Sequence, residues 1–157
     1  MIETVPDIAH RFTAAFNVGD VEGVLGCFTP DALYADLFYG RFIGRAGLRR
    51  LFERVYAEGE QHEWIMIQVA ATPGCTIGEW RFSFTVSSAV PRSNGRRLNF
   101  RGASVFETRG GLCCAYREYF DRGAALLALG VSPAAMARIA AARPSVQVSG
   151  PDQAARR

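Results

Sequence analysis

Three residues carry the chemistry this sequence can offer without a cofactor: Asp36, Asp121 and Tyr34. Asp36 stands two residues after Tyr34, on the same face of an extended segment, and is followed by Leu37-Phe38-Tyr39. An apolar setting raises the pKa of a carboxyl toward the range where it serves as a general acid or base. Asp121 closes the run Tyr116-Arg117-Glu118-Tyr119-Phe120-Asp121. Strand alternation puts it on one face with Tyr119 and Arg117, and if that face lines a pocket Asp121 is desolvated too. The structural alternative for Asp121 is to cap a helix starting near Arg122-Gly123. For Asp36 it is a surface position at a strand end. Two carboxyls converging in one cavity split their pKa values, giving one acid and one base.

Other side chains are candidates for holding a substrate. Arg101, in Asn99-Phe100-Arg101-Gly102-Ala103, lies mid-strand. In the register that turns Ala103 inward, Arg101 follows and pairs with an aspartate; in the other it faces outward at a subunit surface. Trp80, Phe82, Trp64 and Phe16 offer ring faces to a flat apolar molecule, or are plain core, and Tyr119 shares the face of Asp121. His62 starts a strand near the rim and is a further acid/base candidate. His10 lies opposite the apolar stripe of its helix. Neither the two histidines nor Cys27, Cys75, Cys113 and Cys114 show metal-ligand spacing, so the expectation is free thiols and no metal. Without a Gly-rich phosphate loop, no cofactor is expected.

The elements that must position these groups follow from periodicity. Ile8, Phe12, Ala15 and Phe16 recur at helical spacing, and Asp20 caps a second short helix bearing Val21, Val24 and Leu25. Ala32 to Tyr39 reads as extended, and a helix from Gly44 carries Leu48, Leu51, Phe52 and Val55 to about Glu58. The period then changes. Trp64 to Ala71 is a nearly continuous apolar run, which predicts a strand buried on both faces. Glu79 to Val86 alternates, with Trp80, Phe82, Phe84 and Val86 on one side. Pro91 to Gly95 predicts a hairpin loop, and Leu98 to Thr108 and Leu112 to Asp121 two further strands. Short helices follow, the last capped by Ser132 with Pro133 at its first position. Helices grouped before a meandering sheet mean an α+β fold, with N-terminal helices on a curved, mainly antiparallel sheet forming a cone-shaped pocket.

The bulk numbers bound the function. At 157 residues the chain holds one domain, expected over 1–143, with 144–157 a disordered tail. A net charge of +3 from scattered arginines does not suggest nucleic acid, and no segment approaches the length of a membrane span. The start, Met1 to Asp7, shows no basic-then-apolar leader, so the expected location is cytoplasmic.

Four segments resemble the SnoaL-like branch of the nuclear transport factor two-like superfamily: 16–24, 28–32, 42–49 and 116–121. The resemblance implies a cystatin-like roll with N-terminal helices on the sheet, and a homodimer formed through it. The closing Arg-Glu-Tyr-Phe-Asp is similar to the ending of polyketide cyclases and limonene-epoxide hydrolases, whose terminal aspartate is acid or base and matches Asp121. Tyr34-Ala35-Asp36 stands at the Tyr-x-Asn place of the hydrolases, while their Arg-x-Asp falls on Trp80 and Phe82. Asp36 also matches the base of the ketosteroid isomerases, but their oxyanion donors fall on Phe12 and about Ala103. The implied function is a cofactor-independent enzyme on a small hydrophobic polyketide-, terpenoid- or steroid-like molecule, performing isomerisation, cyclisation or water addition. The alternative is a non-catalytic ligand-binding or dimeric interaction module.

Overall fold

The computed structural model describes residues 7–147. In chain order its elements are α1 (Ile8–Asn17), α2 (Val21–Leu25), β1 (Phe28–Asp36), β2 (Gly40–Ile43), α3 (Gly44–Glu58), β3 (Gly59–Thr72), β4 (Cys75–Val86), β5 (Arg97–Arg109), β6 (Leu112–Tyr119), α4 (Arg122–Ala128) and α5 (Pro133–Ala142). A short 3-10 turn, Pro91–Ser93, sits between β4 and β5. Four helices begin where a short side chain accepts an otherwise unpaired backbone N–H: Asp7 for α1, Asp20 for α2, Asp121 for α4 and Ser132 for α5.

The six strands form one sheet in the order β2-β1-β6-β5-β4-β3. Every neighbouring pair is antiparallel except β1 and β6, which run parallel. Register shifts in β3, and between Glu107 and Thr108 of β5, bend these long strands, and the unclosed sheet curls around α1 and α3. Phe12 of α1 is fully buried at the centre, its ring within about 6 Å of Phe16, Phe28, Phe52, Trp64, Phe106 and Tyr116. Leu48, Leu51 and Phe52 of α3 complete that wall, the α+β roll expected from the pattern.

Some expectations are corrected. The turn after Asp36 leads into a short strand, β2, which pairs back on β1 through Asp36 and Gly40. Gly40 has φ +99°, a backbone state that favours glycine at this reversal. β3 is not buried on both faces: it is an edge strand, with Trp64 covered and Ile65 and Ile67 exposed on the outer side. Continuous apolarity in β3 reflects an uncovered outer face rather than a second packed layer. The C-terminal helices are tied to the β4–β5 connection, where Ser93 Oγ donates to the Leu129 carbonyl (2.5 Å) and Arg96 to that of Ala128 (2.9 Å). Of the tail expected over 144–157, residues 148–157 lie outside the described residues.

Candidate functional site

Parallel pairing of β1 with β6 aligns Tyr34 with Tyr116, whose rings stack at 4.1 Å and 21°. Two residues further along each strand, the same pleat turns Asp36 and Glu118 inward, and both carboxyls line one cavity. Glu118 is 6% exposed. Its Oε1 accepts the Leu37 N–H (3.1 Å) and its Oε2 the Tyr116 hydroxyl (2.9 Å). Asp36 Oδ1 accepts two backbone N–H groups, from Phe38 and Tyr39, each at 2.7 Å.

A buried chain of hydrogen bonds stands behind Glu118. Trp80 Nε1 donates to Ser104 Oγ (2.7 Å), and Ser104 Oγ lies 2.6 Å from the Tyr116 hydroxyl. Because Tyr116 gives its proton to Glu118 and Ser104 already accepts from the indole, the serine proton points to Tyr116. Every donor in the chain is therefore spent toward the carboxyl, which fixes its orientation.

Electrostatics separates the two acids. Burial pushes Glu118 well above the usual carboxyl range, and the neighbouring Asp36 charge raises it further. Burial lifts Asp36 to about 6, against the opposing pull of the Tyr39 and Phe38 N–H donors and the more distant Arg143 and Arg54. Burial thus favours the protonated form of both carboxyls, and Asp36, held by two N–H groups, is the less strongly raised of the two. The hydroxyls of Tyr34 and Tyr116 are also pushed up by burial and stay protonated. His62, held among the rings of Phe16, Tyr56, Phe82 and Phe84, is pushed down to about 4 by burial and nearby Arg97, so it is neutral.

The inner cavity is narrow, about 60 Å³, and its walls are mostly aromatic. Among the described residues no arginine lines it, and the buried Trp64 Nε1 has no hydrogen-bond acceptor. Phe38, Tyr39 and Phe84 form a rim shared with a wider vestibule of about 540 Å³, lined further by Leu126 of α4, Leu129 and Val131 after it, Arg143 just past α5, and the β4–β5 connection.

Of the residues singled out in the sequence, Asp36, Tyr34, Phe16, Trp64, Trp80 and Phe82 line this cavity, and His62 joins them. Three do not. Asp121 is exposed, and its Oδ1 accepts the Ala124 N–H (2.8 Å) as the cap of α4. Phe120 takes the inward place, against Phe38 and Phe100, and turns the next residue out. Tyr119 is 59% exposed because it alternates with Glu118. Arg101 faces outward opposite Arg81, since β5 pairs Gly102 with Trp80 and gives the inner face to Phe100, Gly102 and Ser104. Gly102 is required there: a Cβ would come within 2.4 Å of the Trp80 ring and 2.6 Å of the Tyr119 carbonyl. Glu118 is the cavity carboxyl that sequence reasoning missed. The signal was its place between Tyr116 and Phe120, two aromatic residues on its own face of the strand.

The SnoaL-like domain model matches residues 9–116. Among curated proteins none matches the sequence. Solved structures share the fold at low identity. A hypothetical protein of Catenulispora acidiphila with a ketosteroid isomerase-like fold, in complex with trimethylamine, superposes with a TM-score of 0.71 at 18% identity, over 82% of this chain and 96% of that one. A provisionally named polyketide cyclase of Xanthomonas campestris gives 0.69 at 20% identity, over 78% and 93%. An LEH-like epoxide hydrolase of Mycobacterium tuberculosis gives 0.64 at 20%, over 88% and 94%. With two thirds of its length matched by one model and its roll shared with these structures, the chain belongs to the SnoaL-like domain family.

Proposed function

We propose that the protein is a cofactor-independent enzyme in which Asp36 is the general base and Glu118 the general acid toward a small, mostly apolar substrate. The observation carrying this reading is the convergence of two carboxyls of unlike proton affinity on one aromatic cavity. Asp36 takes a proton from the substrate or from an attacking water, and its charge is tolerated because two N–H groups hold it. Glu118 gives its proton to the developing oxyanion, and the Tyr116–Ser104–Trp80 chain steadies the carboxylate that results. Tyr34, protonated beside both, is a further donor. Isomerisation, cyclisation and water addition all fit such a pair. The volume of about 60 Å³ favours a ring or short chain as the reacting end, with the remainder of a polyketide- or terpenoid-like molecule outside it.

The test is turnover across a panel of cyclic ketones, epoxides and small polyketide esters with wild type, Asp36→Asn and Glu118→Gln. Loss of about 10²-fold or more in each variant is expected. Unchanged turnover in Asp36→Asn would sink the reading. Homodimerisation through the outer sheet face, where Ile65, Ile67, Ile77 and Tyr119 are exposed, belongs to the same proposal and is checked by light scattering.

A second reading, ligand binding without turnover, is favoured by one observation. Both carboxyls already serve the local fold, through the turn after Asp36 and the Leu37 N–H. Tight binding with no turnover by any panel member would favour it.

A further inference from the structure

The vestibule differs in charge from the cavity it leads to. Its charged lining is Arg54, Glu58, Arg92 and Arg143. Glu58 is fully engaged: Oε1 accepts Arg54 Nε (2.8 Å) and Oε2 the Tyr39 hydroxyl (2.7 Å), while the Arg54 guanidinium lies 4.6 Å from the Tyr39 ring centre. That pair is self-neutralising. Arg92 and Arg143 form no ion pair among the described residues, so two positive charges remain at the mouth.

One of them, Arg92, lies within the matched segment, and the other, Arg143, lies beyond it. Arg143 ends α5, and its guanidinium lies against Gly40, where a Cβ would come within 3.2 Å of it. It thereby overlooks the β1–β2 turn that carries Asp36. Arg92 lines the same vestibule from the 3-10 turn, which Ser93 ties to Leu129 at the end of α4. The inner cavity, in contrast, holds two carboxyls and no arginine among the described residues. An anionic group is repelled by the inside and attracted to the outside, so the charges orient a molecule as well as bind it.

We infer that the substrate is amphiphilic: an apolar reacting end enters the aromatic cavity, and an anionic group, of the carboxylate class, remains in the vestibule against Arg92 and Arg143. This rests on the proposed acid/base site for its orientation, but not for its existence. It names the residues that select the substrate's far end, and it explains why so narrow a cavity opens to a vestibule about nine times larger.

The experiment compares 4-phenylbutyrate with 4-phenylbutanol on the full chain at low ionic strength, by quenching of Trp64 and Trp80 fluorescence. The carboxylate is expected to bind about fivefold tighter or better, with the preference fading as salt rises. In R92Q/R143Q the two probes should bind equally, with the alcohol unchanged from wild type. In R92E/R143E the alcohol should bind the tighter. Binding of the alcohol with no preference for the carboxylate in wild type overturns this inference and leaves the acid/base reading standing. Binding of neither overturns the apolar cavity as a ligand site, and this inference with it.

Discussion

Replacing Asp36 by asparagine should stabilise the protein at neutral pH while removing its proposed base. In the folded chain burial lifts the Asp36 pKa from the ordinary 3.8 to about 6. Folding therefore favours the protonated carboxyl. The associated stability is fully present below the unfolded value and is lost as pH rises through the folded one. A shift of this size corresponds to about 3 kcal/mol at full ionisation, most of it lost between pH 4 and 7. Asparagine keeps an oxygen for the Phe38 and Tyr39 N–H groups and cannot ionise. The assay is urea unfolding of wild type and Asp36→Asn at intervals from pH 4 to 8, with m-values compared to confirm the same transition. Relative to the variant, wild type should lose about 2 to 3 kcal/mol over this range. His62 titrates in both proteins and cancels in the difference, whereas Glu118, raised further by the Asp36 charge, contributes to the difference with Asp36. Parallel curves would refute the argument, because they would mean that Asp36 ionises in the folded state as freely as in water.

Three further outcomes are expected. Asp121→Ala should cost about 1 kcal/mol by loss of the α4 cap, with ligand binding and any turnover retained; lost turnover would return Asp121 to the site. Gly102→Ala should cost about 2 kcal/mol or more and perturb Trp80 fluorescence, because neither the indole nor the Tyr119 carbonyl has room to yield. The His62 imidazole, followed by NMR, should titrate near 4, and the stability it contributes, present above its ordinary 6.5, should fall as pH drops from 6.5 through about 4.

How far the sequence reveals this site depends on strand parity. Clean alternation in β4 gave Trp80 and Phe82 their inward places, and the Tyr34–Asp36 spacing gave theirs on β1. On β6 the choice rested on a terminal motif rather than on the pleat, and a one-residue difference in parity exchanged Glu118 for Tyr119 and Asp121. Arg101 misled for the same reason. Which face of β5 turns inward is set by the contact of Gly102 with Trp80, a steric fact between strands that the local pattern does not carry. The vestibule was not legible either, since it depends on where α5 returns, and that is fixed by contacts such as Arg122 with the Arg143 carbonyl.

The parallel neighbours β1 and β6 have a kinetic meaning as well. Leu37 and Glu118, joined by one hydrogen bond, are 81 residues apart in sequence. Contacts of such separation carry a large loop-closure cost and cannot form before most of the chain is available. During synthesis Asp36 emerges early, in a segment whose partner strand is not yet made, so its carboxyl stays hydrated and ionised. Only when β6 docks do Asp36 and Glu118 lose their water together. Assembly of the site and the joining of β1 to β6 are thus one late event, and slow hydrogen exchange at the Leu37 amide would time it.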